Sequence, residues 1–218
     1  MTGEPATPDR AGVRWRVVVP VKEADRAKTR LQPTHPLARP ALARAVAQDT
    51  LTAVCAALPP RDVLVVTTDP AAAGAATALG ATVVADPGAG LDAAVRTGLA
   101  RVLPVDDGHT PGWAVLLGDL PSLRPEDLRD ALARCAEHPR AVVPDADGTG
   151  TVLLTSTVGP PEPRFGPGSA ARHGADATVL ELALPRLRRD VDTAADLAAA
   201  LALGVGTATA RVLAGPPG

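Results

Sequence analysis

The chain has 218 residues, of which 46% are hydrophobic and 21% charged, and its formal net charge is -2. That length and balance suit one globular domain with a real core and exclude a disordered chain. A near-neutral surface and an aromatic content of 1%, with no Tyr, one Phe and two Trp, argue against nucleic acid as a partner, because duplex binding needs cations and single-strand binding adds stacking platforms.

The N-terminal residues 1–13 are polar and Pro-containing, lack an apolar signal region, and are expected to be a disordered tail. Residues 14–214 are expected to form a single domain. The first apolar run, Val17, Val18 and Val19, is continuous and β-branched, as in a strand covered on both faces. A basic stretch follows, and then a helical pattern over 40–58 closed by Pro59 and Pro60. Strand and helix then alternate: strand 63–67, helix 71–79 ended by Gly80, strand 82–84, helix 91–102, strand 113–117, and helix 125–136 with Pro125 at its start. Residues 140–143 and 152–155 read as further strands. Residues 193–203 read as the last helix, capped by Asp192 or Thr193 and ended by Gly204. No apolar run is long enough to span a bilayer. Cys55 and Cys135 lie in helical Ala/Leu surroundings and read as inert buried thiols, consistent with a cytoplasmic protein. Strands alternating with helices imply a doubly wound α/β sandwich with a mostly parallel sheet.

In such sheets ligands bind beyond the carboxyl ends of the strands, so the residues after each strand are the candidates. Asp119 directly follows an apolar strand and a glycine, which would hold a carboxylate rigidly at the sheet edge. Magnesium takes one or two carboxylates together with phosphates. Asp192 could supply the second carboxylate, or could simply cap the following helix. Lys22, Lys28 and Arg30 form a cationic element after the first strand. It suits a triphosphate and the charge that develops as pyrophosphate leaves, although without Asp119 it would read as a solvated loop. Gly88 and Gly90, before the helix start at Leu91, would let backbone N–H groups approach a nucleotide. Residues 148–151, with Phe165, Gly166, Pro167, Gly168 and Ser169, form a second small-residue cradle suited to a phosphate or carboxylate, or simply turns. No Walker A, GxGxxG, H-E-x-x-H or G-x-S-x-G pattern occurs, which removes support from P-loop, dehydrogenase, zinc-protease and serine-hydrolase readings.

Five segments together resemble the phosphoenolpyruvate or 2-phospho-L-lactate guanylyltransferases of coenzyme F-420 synthesis. They are VVVPVKEADRAKTRL from Val17, LGDLP from Leu117, DGTGTVLL from Asp147, FGPGSAARH from Phe165, and the Asp-Val-Asp-Thr core that follows Arg189. The resemblance implies a nucleotide-diphospho-sugar-transferase-like fold, similar to the molybdenum cofactor guanylyltransferases, with Pro20-Val21-Lys22 in place of their glycine-rich N-terminal loop. It implies transfer of GMP from GTP to phosphoenolpyruvate, with 2-phospho-L-lactate as the alternative acceptor. Thr151, Gly166 and Ser169 would contact the acceptor, and Asp119 and Asp192 would hold Mg2+. Lys22, Lys28 and Arg30 would face the triphosphate, with Gly88, Gly90 and Asp92 on the nucleotide side. Lys22, Lys28 and Asp119 would be the catalytic groups. The pathway also implies a hand-off of product to the next enzyme. The competing readings are a nucleotidyltransferase with another acceptor or base, a nucleotide-binding regulatory subunit without turnover, and a plain interaction domain.

Overall fold

The computed structural model describes residues 11–24, 39–102 and 108–215. The first strand, β1, is Ala11–Pro20, followed by α1 (Arg39–Ala57), β2 (Val63–Val66), α2 (Pro70–Ala78), β3 (Thr82–Val84) and α3 (Leu91–Leu99). Next come β4 (His109–Leu116), α4 (Pro125–Cys135), β5 (Arg140–Pro144), β6 (Thr151–Ser156) and α5 (Ser169–Gly174). The chain closes with β7 (Thr178–Val179), α6 (Pro185–Arg188), α7 (Ala194–Leu203) and α8 (Thr207–Ala214).

These strands form one seven-stranded sheet in the order β3-β2-β1-β4-β6-β5-β7. β1 pairs in parallel with β2 and β4, β2 with β3, and β5 with β7. β6 runs antiparallel to both β4 and β5, so the sheet is mostly parallel, as the sequence led one to expect, with one reversed strand. Only a short loop joins β5 to β6. It is too short for the crossover that parallel neighbours need, so the chain turns straight back.

The period of two along β1 divides the core. Val17 and Val19 pack with Leu51 and Val54 of α1, Ala72 and Ala76 of α2, and Leu128, Ala131 and Leu132 of α4. Val18 faces the opposite layer, with Ala94, Val95 and Leu99 of α3 and Trp113 of β4. Fully burying a leucine or valine contributes about 1.5–3 kcal/mol, so many aliphatic contacts replace the few large aromatic anchors this chain lacks. β1 begins at Ala11 and pairs with β4 from there, so residues 11–13 belong to the sheet and not to a tail.

A satellite cluster matters for the site. Leu42 and Val46 of α1 pack with Val191 and with Ala200 of α7, and Val205, Val212 and Leu213 pack against them. α8 was not expected from the sequence, and α7 is therefore not the last helix. Asp49, from the middle of α1, accepts hydrogen bonds from the N–H groups of Ala208 (2.9 Å) and Thr209 (2.8 Å). A side chain distant in sequence thus caps α8. Among the described residues no single helix is long and apolar enough to cross a membrane. The bent pair α7 and α8, which meet at 118°, has the length and composition only when taken together. Cys55 and Cys135 are both free thiols, and burial pushes the Cys135 thiol up to about 11.

Candidate active site

The carboxyl ends of β1, β2, β4 and β5 and the amino end of antiparallel β6 lie along one sheet edge. At its centre Leu117 N–H donates to Val152 O (3.0 Å), which places Gly118 and Asp119 next to the start of β6. Gly118 is required there. A Cβ on it would lie 2.8 Å from the Pro20 carbonyl oxygen and 2.9 Å from Val21 Cγ2, so a larger residue would push Asp119 away from the β1 exit. Lys22, exposed, lies two residues beyond Pro20, the end of β1. Its loop is tied down by Asp69, whose Oδ2 accepts the Ala24 N–H (3.1 Å) while Oδ1 caps α2 through Ala71 and Ala72 (2.9 and 3.1 Å). Lys28 and Arg30 lie outside the described residues.

The acidic side of the site is assembled by the segment before α7. Val191 is 1% exposed, and its N–H donates to the Asp119 carbonyl (3.2 Å). Val191 is buried, while its neighbour Asp190 is half-buried and Asp192 is exposed. Arg188 fixes the segment to β5: its guanidinium donates to the carbonyls of Pro144 (3.0 Å) and Asp145 (2.8 Å), and its own carbonyl accepts Ala146 N–H (2.7 Å). Burial first, and then the carboxylates of Asp119, Asp192 and Asp145, push the Asp190 carboxyl up to about 7. Asp192 does not cap α7. Thr193 does, with Asp196 returning the bond to the Thr193 N–H (2.8 Å).

From the sequence, roles here fall to Asp119 and Asp192, and none to Asp190 and Asp145 on the same edge. The signal for Asp190 was the Asp-Val-Asp spacing. Asp145 closes the β5–β6 turn by accepting the N–H groups of Thr149 (2.9 Å) and Gly150 (2.7 Å). The donor set is hard oxygen throughout and the crowding of like charge calls for a cation, which fits a divalent ion such as magnesium. Among the described residues no three acidic, His or Cys side chains converge on one point.

Beside this cluster lies the small-residue cradle. Ser169 begins α5; it is 1% exposed, and its N–H donates to Gly166 O (3.0 Å). Ala170 N–H donates to Thr149 O (3.1 Å), which brings α5 against the start of β6. Thr151 is buried, with its Oγ1 2.9 Å from His173 Nδ1. Arg172 braces the preceding loop by donating to the carbonyls of Arg164 and Phe165. Thr151, Gly166 and Ser169 thus sit together. On the other side, Gly88 and Gly90 precede α3, and Gly90 holds φ 94°, which favours glycine. Asp92, in the first turn of α3, accepts Phe165 N–H (2.8 Å) and so reaches the cradle loop.

Residues 41–164 match the family model described as MobA-like NTP transferase domain. The chain is 49% identical to the phosphoenolpyruvate guanylyltransferase of Geodermatophilus obscurus, covering 92% of this chain and 94% of that one. This chain belongs to the phosphoenolpyruvate guanylyltransferase family. The Streptomyces scabiei member is likewise 49% identical, over 93% of this chain and 97% of its own, and the Mycobacterium marinum member is 44% identical, over 91% and 93%. Members of this family are nucleotidyltransferases by name and by domain, and the chain is one of them. Its fold is also that of a Desulfovibrio desulfuricans protein described as a nucleotide-diphospho-sugar transferase (TM-score 0.58, 20% identity, 85% of this chain and 84% of that one). A Methanothermobacter nucleotidyl transferase shares it as well (TM-score 0.53, 20% identity, 89% and 98%). The doubly wound, mostly parallel sheet expected from the sequence is thus the sheet this fold class uses.

Proposed function

We propose that this chain transfers GMP from GTP to phosphoenolpyruvate, giving enolpyruvoyl-2-diphospho-5'-guanosine and pyrophosphate, in coenzyme F-420 synthesis in the cytoplasm. The observation that carries the reading is the meeting, on one sheet edge, of the Asp119–Asp190–Asp192 cluster with the Thr151–Gly166–Ser169 cradle. The cradle takes the acceptor, and the carboxylates face the phosphates that react.

In the reaction a phosphate oxygen of the acceptor attacks the α-phosphorus of GTP. The new P–O bond forms as the bond to the β-phosphate bridge breaks, and pyrophosphate leaves with that electron pair. The nucleophile is already an anion, so no strong general base is needed. Asp119 and Asp192, with Asp190 beside them, would hold a magnesium ion, and such an ion would supply Lewis-acid neutralisation of phosphate charge. Lys22, with Lys28 and Arg30 of the same stretch, offsets charge on the triphosphate and on the leaving group. Thr151, Gly166 and Ser169 align the acceptor, and alignment converts a two-body encounter into a local one. Gly88 and Gly90 admit the nucleotide to the start of α3.

The test is pyrophosphate release by the purified protein with GTP and magnesium, comparing phosphoenolpyruvate, 2-phospho-L-lactate and no acceptor. Release dependent on phosphoenolpyruvate is expected. Release with 2-phospho-L-lactate alone would transfer the assignment to that acceptor, and release with neither would end it.

A further inference from the structure

We propose that His173 and Asp92 are positioning residues for the acceptor, acting through Thr151 and the loop 164–169. This rests on the reading of Thr151, Gly166 and Ser169 as the acceptor cradle. His173 is 1% exposed and is held by two bonds of fixed sense. Arg164 N–H donates to Nε2 at 2.8 Å, so Nε2 carries a lone pair. A neutral ring then bears its proton on Nδ1 and donates it to Thr151 Oγ1 at 2.9 Å. With one lone pair of Thr151 occupied in this way, the hydroxyl proton is left to be donated elsewhere. A hydroxyl fixed as a donor suits an anionic oxygen and disfavours a ligand that offers only donors.

Asp92 works on the same loop from α3, in the layer where Phe165 also packs. α3 is anchored in the core by Ala94, Val95 and Leu99. From this rigid helix Asp92 holds the Phe165 N–H, and Arg96 pairs with Glu162 at 2.6 Å. The Phe165 ring meets His173 edge-on, with centroids 4.9 Å apart. The helix that opens beside Gly88 and Gly90 therefore carries the loop that shapes the acceptor cradle. That gives Asp92 a part in shaping the acceptor side of the reaction.

Two measurements decide the point. The 15N shifts of the His173 ring in the free protein at pH 7 should report a neutral Nδ1–H tautomer. An imidazolium or an Nε2–H tautomer would overturn the brace whatever the enzyme catalyses. In initial-rate kinetics, His173→Gln can accept from Arg164 but cannot donate to Thr151. It should raise the acceptor KM about tenfold, the scale of one hydrogen bond to a charged group, and leave the GTP KM within about twofold. His173→Asn places an amide N–H where Nδ1 lies and should recover most of that loss. Asp92→Ala should likewise raise the acceptor KM alone. Equal rises in both KM values, or a rise for GTP only, would overturn the assignment. A wild-type protein without acceptor-dependent release would refute the proposed reaction, and the tautomer would still decide the His173 brace.

Discussion

Asp69 is buried at 1% exposure and serves two elements at once. Its Oδ1 caps α2 through Ala71 and Ala72, and its Oδ2 holds Ala24 N–H, two residues beyond Lys22. Asp69→Asn keeps one oxygen, enough for the cap, but turns an amide N–H₂ toward the Ala24 donor. Losing that bond and leaving a buried donor unmet costs about 1–3 kcal/mol. Asp69→Ala also removes the cap, a further loss of about 0.5–2 kcal/mol, so the alanine variant should lose about 1.5–5 kcal/mol in all. Equilibrium unfolding in urea, with midpoint and slope both fitted, measures each step. The sign with pH follows from the carboxyl itself. Burial raises its pKa, but the N–H groups of Ala24, Ala72 and Ala71 and the Arg44 charge outweigh that and hold it below the usual range. Its contribution is therefore complete above the unfolded value of about 4 and is lost as pH falls through the lower folded value. Wild type and Asp69→Asn should differ at neutral pH and converge in acid. An Asn variant as stable as wild type at pH 7 would refute the tether between the two loops.

Three further outcomes are expected. Asp119→Asn should lower turnover by about 10²–10³ with unfolding unchanged, read as pyrophosphate release across a magnesium titration; full activity at ordinary magnesium would remove Asp119 from the metal site. Ser169→Ala should raise the acceptor KM more than the GTP KM, and an equal change in both would take Ser169 out of the cradle. His173 titrates below its ordinary value: burial is the largest cause, Arg164 and Arg172 add to it, and Asp92 and Asp176 oppose it. The unfolded chain then binds more protons than the folded one below about pH 6.5. Melting temperature should therefore fall faster in acid for wild type than for His173→Gln, and parallel curves would contradict this.

Most of the element list was legible because period and punctuation are local. Val17 to Val19, the Pro59-Pro60 stop, Pro125 at a helix start and the Gly80 and Gly204 ends each act within a few residues. The direction of β6 was less visible, since alternation says nothing about polarity, yet the short Asp- and Gly-rich turn before it carried that information. α8 was missed because its cap comes from Asp49 on another helix, and no local pattern records a partner so far away.

The candidate site divides in the same way. Residue types at strand ends put Asp119, Lys22 and the Gly166–Ser169 turn on one edge by topology alone. The Asp-Val-Asp stretch became part of that edge only once Val191 was buried against Leu42, Val46 and Ala200, bringing Asp190 within the field of Asp119 and Asp192. His173, one of four scattered histidines in the sequence, gained its partner Thr151 only when α5 docked on β6. The sequence by itself determined most of the elements and which chemical groups end them, because propensity, capping and period act over a few bonds. Which of those groups meet, and with what protonation, was decided by packing. Burial and the field of neighbouring charges exist only after distant segments have closed on one another.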